Sequence, residues 1–215
     1  MTATTSTTMV RRARPDDIPH LARVLVAAFV DTPDMAWLVP DRRDRRRILS
    51  LLAPGMVAHA MTAGSAYTTV DRAAAALWLP YGVAYTTPAH HARRLERIAG
   101  PYADRFAHLA ALLRTHAPRR PHTYLAHLGV HPARHRQGLG TALLAHRHVL
   151  CDTATTPAHL IATTPAARNL YHRLGYQPTT AHPLALPDNG PPLWPMWREP
   201  GAGTSRSAGP NDTSD

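Results

Sequence analysis

Lysine is absent from this 215-residue chain, and all 24 of its basic residues are arginine. That excludes any phosphate loop of the Walker kind, which ends in Gly-Lys-Ser/Thr. The heavy use of Ala, Arg, Pro and His points to a GC-rich coding sequence, so the formal charge of +10 is discounted as a sign of nucleic-acid binding. A single cysteine, Cys151, excludes an internal disulfide framework. No apolar run reaches the roughly 18 residues needed to span a bilayer, and Met1-Thr2-Ala3-Thr4-Thr5 lacks the charged-then-apolar order of a secretory signal. A cytoplasmic protein without membrane contact is therefore expected. Glutamate is scarce too: Glu96 and Glu199 are the two in the chain, which leaves few candidates for a carboxylate base.

The densest basic run, Asp41-Arg42-Arg43-Asp44-Arg45-Arg46-Arg47, carries two acids and leads into Ile48-Leu49-Ser50-Leu51-Leu52. It reads as the solvated start of a helix. Small, polar tails are expected at 1–9 and 200–215, around one domain at 10–199. Within it the pattern predicts strands near 10–14, 66–70, 74–79, 123–130, 159–163 and 194–198. Helices are expected at about 15–28, 42–61, 88–99, 103–113, 138–150 and 165–174. Thr164 followed by Pro165 is a helix cap and first turn, and Gly175 is a stop. Strand, helix and strand from 123 to 163 require a parallel pair and a right-handed crossover, which makes the chain α/β.

Chemistry concentrates between the strand ending at Val130 and the helix starting at Gly138, in His131-Pro132-Ala133-Arg134-His135-Arg136-Gln137-Gly138-Leu139-Gly140-Thr141. Glycines at a strand-to-helix turn let backbone approach a ligand, and the free amides of the helix start favour a pyrophosphate. Arg134 and Arg136 would add cationic contacts. The dinucleotide fingerprint needs three spaced glycines in the first strand-helix unit, and here two occur, late in the chain.

Val130-His131-Pro132 followed by Arg136-Gln137-Gly138-Leu139-Gly140 resembles the acetyl-CoA motif of the GNAT acetyltransferases, and Asn169-Leu170-Tyr171-His172-Arg173-Leu174-Gly175-Tyr176 resembles their second motif. Further similarity, through Ala28-Phe29-Val30-Asp31-Thr32-Pro33 and Leu77-Trp78-Leu79-Pro80, is to the antibiotic-type branch that includes the puromycin N-acetyltransferases. The resemblance implies a GNAT fold, a mixed central sheet flanked by helices in which two parallel strands splay apart to admit acetyl-CoA as co-substrate.

On the same resemblance, acetyl-CoA would be held by Leu128, Gly129, Val130, His135, Arg136, Gln137, Gly138, Leu139, Gly140, Thr141, Thr164 and Asn169. The backbone near Leu128 would stabilise the oxyanion, and Tyr171 would protonate the leaving sulfur. Two positions depart from the usual pattern, His135 for Gln or Arg and Thr164 for Asn.

Phe29, Asp31, Trp78 and Tyr124 are the candidates for binding the acceptor, with Asp34 and Trp37 nearby; carboxylates there would suit a cationic amine. Strict alternation along 123–130 places Tyr124, Ala126 and Leu128 on one face and Leu125, His127 and Gly129 on the other. His127 and Tyr124 are then not expected to share the acceptor. Fifteen histidines raise metal binding, but His90-His91 and His146 with His148 lack zinc-site spacing, and no metal is expected. The expected activity is transfer of acetyl to a primary amine of an antibiotic or other natural product through a ternary complex, in a monomer or homodimer. A protein N-terminal or lysine acetyltransferase and a non-catalytic acyl-CoA-binding regulator are the alternatives.

Overall fold

The computed structural model describes residues 9–84 and 89–202. The tails expected at 1–9 and 200–215 lie outside the described residues, except Met9 and 200–202. Val10–Arg12 forms β1, followed by α1 (Ile18–Phe29), α2 (Pro33–Leu38) and α3 (Arg42–Ala63). The hairpin β2 (Ser65–Thr69) and β3 (Ala74–Pro80) leads through the short α4 (Tyr81–Ala84) to α5 (Ala89–Ala99) and α6 (Ala103–Thr115). The second half is β4 (Thr123–Val130), α7 (Leu139–Thr153), β5 (Ala158–Ala162), α8 (Pro165–Arg173), β6 (Gln177–Pro178) and β7 (Trp194–Arg198). Among the described residues the strands make one sheet of seven in the order β1-β2-β3-β4-β5-β7-β6. The β4–β5 pair is parallel and its neighbours are antiparallel, as a strand-helix-strand crossover set in a meander dictates.

The alternation of β3 shows how the sheet is sandwiched. Ala74, Ala76 and Trp78 pack with Leu143, Leu144 and Tyr171 of α7 and α8. Ala75 and Leu77 pack with Leu21 and Leu25 of α1 and Ala53 and Val57 of α3. Both faces of this strand are covered, which is why it reads as a continuous apolar run.

A third cluster, of Val30, Met35, Leu38, Ile48 and Leu193, joins α2, α3 and the segment before β7, and α6 lays Phe106, Leu109 and Leu113 against it. The six-residue α2 was not legible, because Pro33 after Asp31-Thr32 signals a break as readily as a first helical turn. The arginine run does open α3, where the Asp41 carboxylate caps the amides of Arg43 and Asp44.

Arg11 of β1 donates two hydrogen bonds, of 2.7 and 2.9 Å, to the buried Asp17 carboxylate, which also accepts from the Arg14 amide. The Arg11 bonds lead in holding Asp17 at about 2, against an ordinary 3.8. A depressed carboxylate stabilises the fold above its unfolded pKa, and that contribution fades as pH falls from 3.8 through about 2. Asp17→Asn should cost about 1–2 kcal/mol at pH 7. Urea unfolding should show the gap to the parent chain closing between pH 4 and pH 2.

Candidate active site

The site begins as a defect in pairing. Along β3 and β4, Ala76 faces Leu128 and Leu77 faces His127, but Trp78 faces Leu125, so the register slips by one residue at Ala126. This is a β-bulge, and it inverts the side-chain alternation across it. Leu125, Leu128 and Val130 consequently share the α7 face. His127 instead lies with the α1 side, its ring 5.9 Å from Phe29, and a Cβ on Gly129 would press into Leu25 and Ala28 of α1.

The expectation that Tyr124 and His127 take opposite faces is thereby corrected: the extra residue between them puts both toward α1. The same slip explains Trp78. It faces away from this side, fully buried with Arg147 over its ring, and does not line the cavity described below.

Beyond the bulge β4 and β5 part. Their parallel pairing is confined to Thr123↔Ala158, Tyr124↔His159 and Leu125↔Leu160, although β4 runs five residues further. The gap between Ala126–Val130 and Ile161–Thr163 is the middle of a cavity of about 870 Å³. By element, the turn, α7 and α8 with its cap supply one arm of its wall, Arg136, Gly138, Gly140, Thr141, Thr164 and Arg173, and α1, α2, α6 and β4 supply the other, Phe29, Asp34, Met35, Phe106, Leu109 and His127, with Tyr171 also lining it.

The first arm is built from backbone. Arg136 and Gly138 both hold positive φ, 62° and 76°, turning the chain so that α7 starts at Leu139 with Gly138 as its N-cap and no side chain bonding its first amides. Those free amides and the helix dipole favour an anion. His135 contributes by stapling, its Nε2 3.1 Å from the Val130 carbonyl oxygen. Arg134 is committed to Asp71 at 2.8 Å and to Gln137 at 2.7 Å, so Gln137 supports the loop instead of lining the cavity. Arg136 makes no ion pair among the described residues, and Arg173, overlooked in the sequence, lies on the wall with it.

Gly138 and Gly140 differ in kind. At Gly138 a Cβ would meet nothing within 4 Å, so its glycine answers to φ alone. At Gly140 a Cβ would touch Val130, Leu128 and Leu170 at 3.7–3.9 Å, ordinary contact, so packing within the protein does not demand glycine there. The position is a cradle on the cavity wall, suited to close approach by a ligand.

Thr164 caps α8 through the Ala167 amide at 3.1 Å and lines the cavity. One helix turn on, Asn169 is exposed and off the wall, and so is Gly129, whose missing side chain answers to α1. Tyr171 is buried, packed edge-on to Tyr176 at 5.8 Å. Burial, reinforced by Tyr124, raises its hydroxyl well above the ordinary tyrosine value. Tyr124, stacked on His159, is pushed up to about 12 by burial, and burial pushes His127 down to about 4. At neutral pH all three hold their uncharged forms.

Phe29 and Tyr124 line the second arm of the cavity, but Asp31 does not. It sits exposed, bonded at 2.8 Å to Arg42. Trp37 donates to the Pro187 carbonyl and is likewise off the wall. Neither glutamate reaches the cavity: Glu96 is exposed and Glu199 pairs with Arg120. Among the described residues no cluster of His, Cys, Asp and Glu could hold a metal, and no helix is long and apolar enough to cross a membrane.

A family profile described as an acetyltransferase (GNAT) domain matches residues 103–178, the stretch holding α6, the bulged strand, the glycine turn and Tyr171. The fold is that of the GNAT acetyltransferases, and the chain is an acyltransferase. It is similar to a Corynebacterium glutamicum structure named histone acetyltransferase HPA2 and related acetyltransferase, at 26% identity over 95% of this chain and 99% of that one, with a TM-score of 0.66. The fold is shared with the Drosophila melanogaster polyamine N-acetyltransferase, 19% identical over 89% of this chain and 99% of that one, TM-score 0.57. It is also shared with the Escherichia coli ribosomal-protein-S18-alanine N-acetyltransferase, 15% identical over 97% and 99%, TM-score 0.53.

The two glycines make a pair of opposed expectations. Gly138→Ala, forced to φ near +76°, should lose about 1–2 kcal/mol. Gly140→Ala, inside the first turn of α7 and free of clashes, should gain up to about 1 kcal/mol. Thermal melts of the two variants check both signs.

Proposed function

We propose that the chain moves an acetyl group from acetyl-CoA to the primary amine of a small molecule, by direct transfer in a ternary complex. The observation that carries this reading is one cavity whose wall takes in the uncapped start of α7, the splayed β4–β5 gap, a buried tyrosine and the carboxylate of Asp34. The residues present fit acetyl-CoA: the first amides of α7 lack a side-chain cap, Gly140 leaves a cradle, and Arg136 and Arg173 stand beside them. Bound acetyl-CoA supplies an activated thioester.

The chain's own residues do the rest. Leu139, Gly140 and Thr141 bind pyrophosphate through backbone amides, and Thr164 and its turn border the same arm. Beyond the bulge, the β4 backbone near Leu128 faces the gap and offers a donor for charge developing on the thioester oxygen. As the amine nitrogen bonds to the carbonyl carbon and the carbon–sulfur bond breaks, Tyr171 gives its hydroxyl proton to the sulfur. His127, neutral and on the acceptor wall with Phe29, takes the proton released by the amine.

The small amines and polyamine in the names of structural neighbours are in keeping with such an acceptor. The sequence resemblance to antibiotic-type acetyltransferases adds a natural product, modified in the cytoplasm for resistance or biosynthesis, as the physiological setting.

Thiol release from acetyl-CoA against a panel of aminonucleosides, aminoglycosides and simple amines tests the activity. Tyr171→Phe should lower kcat by about 100-fold while leaving acetyl-CoA affinity within about threefold, the size expected of a lost general acid. Binding without turnover on any amine would refute the catalytic reading. His127→Gln should lower kcat/KM more than about tenfold at pH 7. That deficit should shrink toward pH 10, where solvent deprotonates the amine; a pH-independent deficit would assign His127 to packing alone.

A further inference from the structure

The acceptor arm has an uneven chemistry. Its wall carries Phe29 from α1, Met35 and Leu38 from α2, Leu49 and Met56 from α3, and Ile161 from β5. α6 adds Phe106, Leu109 and Leu113, spaced so that they share one helical face, and each is only half-buried. Against all this apolar surface Asp34 is, among the described residues, the single carboxylate on the cavity wall. Its Oδ1 is buried and has no hydrogen-bond partner among the described residues. An orphaned buried carboxylate oxygen is costly, and on a cavity wall it is placed to accept a donor that a ligand brings.

Resting on the acetyltransferase reading above, we infer that the acceptor is a primary monoamine with an apolar aryl or branched-alkyl body, whose ammonium is received by Asp34 and whose body lies against Phe106, Leu109 and Leu113. The argument is one of matched polarity. A second ammonium, as in a diamine or polyamine, would have to leave water for a wall of Met, Leu, Ile and Phe with no second carboxylate to meet it. An apolar body in the same place gains from leaving water.

Burial raises the Asp34 carboxyl above its ordinary value, with Thr32 and Thr163 among the groups pulling it back. A bound cation favours the ionised form and completes that compensation. Asp34 is a specificity-determining residue here: it receives the charged amine, which gives one proton to solvent to free its lone pair, and His127 takes the second as the carbon–nitrogen bond forms.

The test compares 2-phenylethylamine and 3-methylbutylamine with 1,4-diaminobutane and agmatine, on the full chain with acetyl-CoA. The monoamines should show kcat/KM at least tenfold higher. Asp34→Asn, nearly isosteric and relieved of a buried charge, should keep the fold and the KM for acetyl-CoA while raising the amine KM tenfold or more; Asp34→Glu should recover part of the loss. Leu109→Asp should narrow the monoamine preference by giving a second ammonium a partner.

Preference for the diamines, or an Asp34→Asn variant with unchanged amine KM, would overturn the inference while leaving acetyl transfer standing. Should no amine turn over, calorimetry of 2-phenylethylamine against the protein saturated with coenzyme A decides separately. Binding weakened tenfold in Asp34→Asn supports the site without the chemistry, and no binding to the parent chain overturns it.

Discussion

One residue too many in β4 organises the functional half of this molecule. With Ala126 squeezed between positions opposite Leu77 and Trp78, the strand bends, its alternation inverts, and pairing with β5 ends after three residues. The gap, the cavity through it and the shared orientation of Tyr124 and His127 follow from that slip. An unbulged strand would zip further along β5 and would turn His127 toward α7, where the core is already filled by Leu143 and Leu144. The cost of the unpaired stretch is met by the burial of β3 on both faces, which anchors β4 from its other side.

The two arms of the cavity solve opposite problems. The arm at the glycine turn is built from backbone, and amides at a helix start carry partial positive charge without long side chains to order. Its side chains hold the loop in shape: His135 to the Val130 carbonyl, Arg134 to Asp71 and Gln137. The other arm is made by side chains from six elements, with Asp34, Tyr124 and His127 set into an apolar wall. Burial moves each of them toward its neutral form, so the local polarity responds to whatever charge a ligand brings.

Which residues were legible beforehand depended on how local their cause is. The turn at 131–141, the cap at Thr164 and the strand-helix-strand unit rest on propensities and on hydrogen bonds made within a few residues, and the structure has those elements. Tyr124 and Phe29 stand on the cavity wall, whereas Trp78, Asp31, Gly129, Gln137 and Asn169 stand off it. Asp31 carries its charge near the end of α1, but Arg42 of α3 engages it, a partner that only tertiary packing supplies. Arg173 reaches the wall because α8 packs beside the glycine turn, and no short-range pattern marks it.

By itself the sequence determined the α/β class, the order of the elements, the glycine turn that opens a helix toward an anion, and the tyrosine on the following helix. Those depend on periodicity, φ preference and capping, all of which act over one or two turns of chain. Tertiary structure alone decided which faces the β4 side chains take, which carboxylate lines the cavity and how apolar its wall is. A bulge is set by the fit of two strands against different layers, and a cavity wall by elements more than 100 residues apart, such as α1 and β5. No local code specifies either, because each is a property of surfaces brought together by folding.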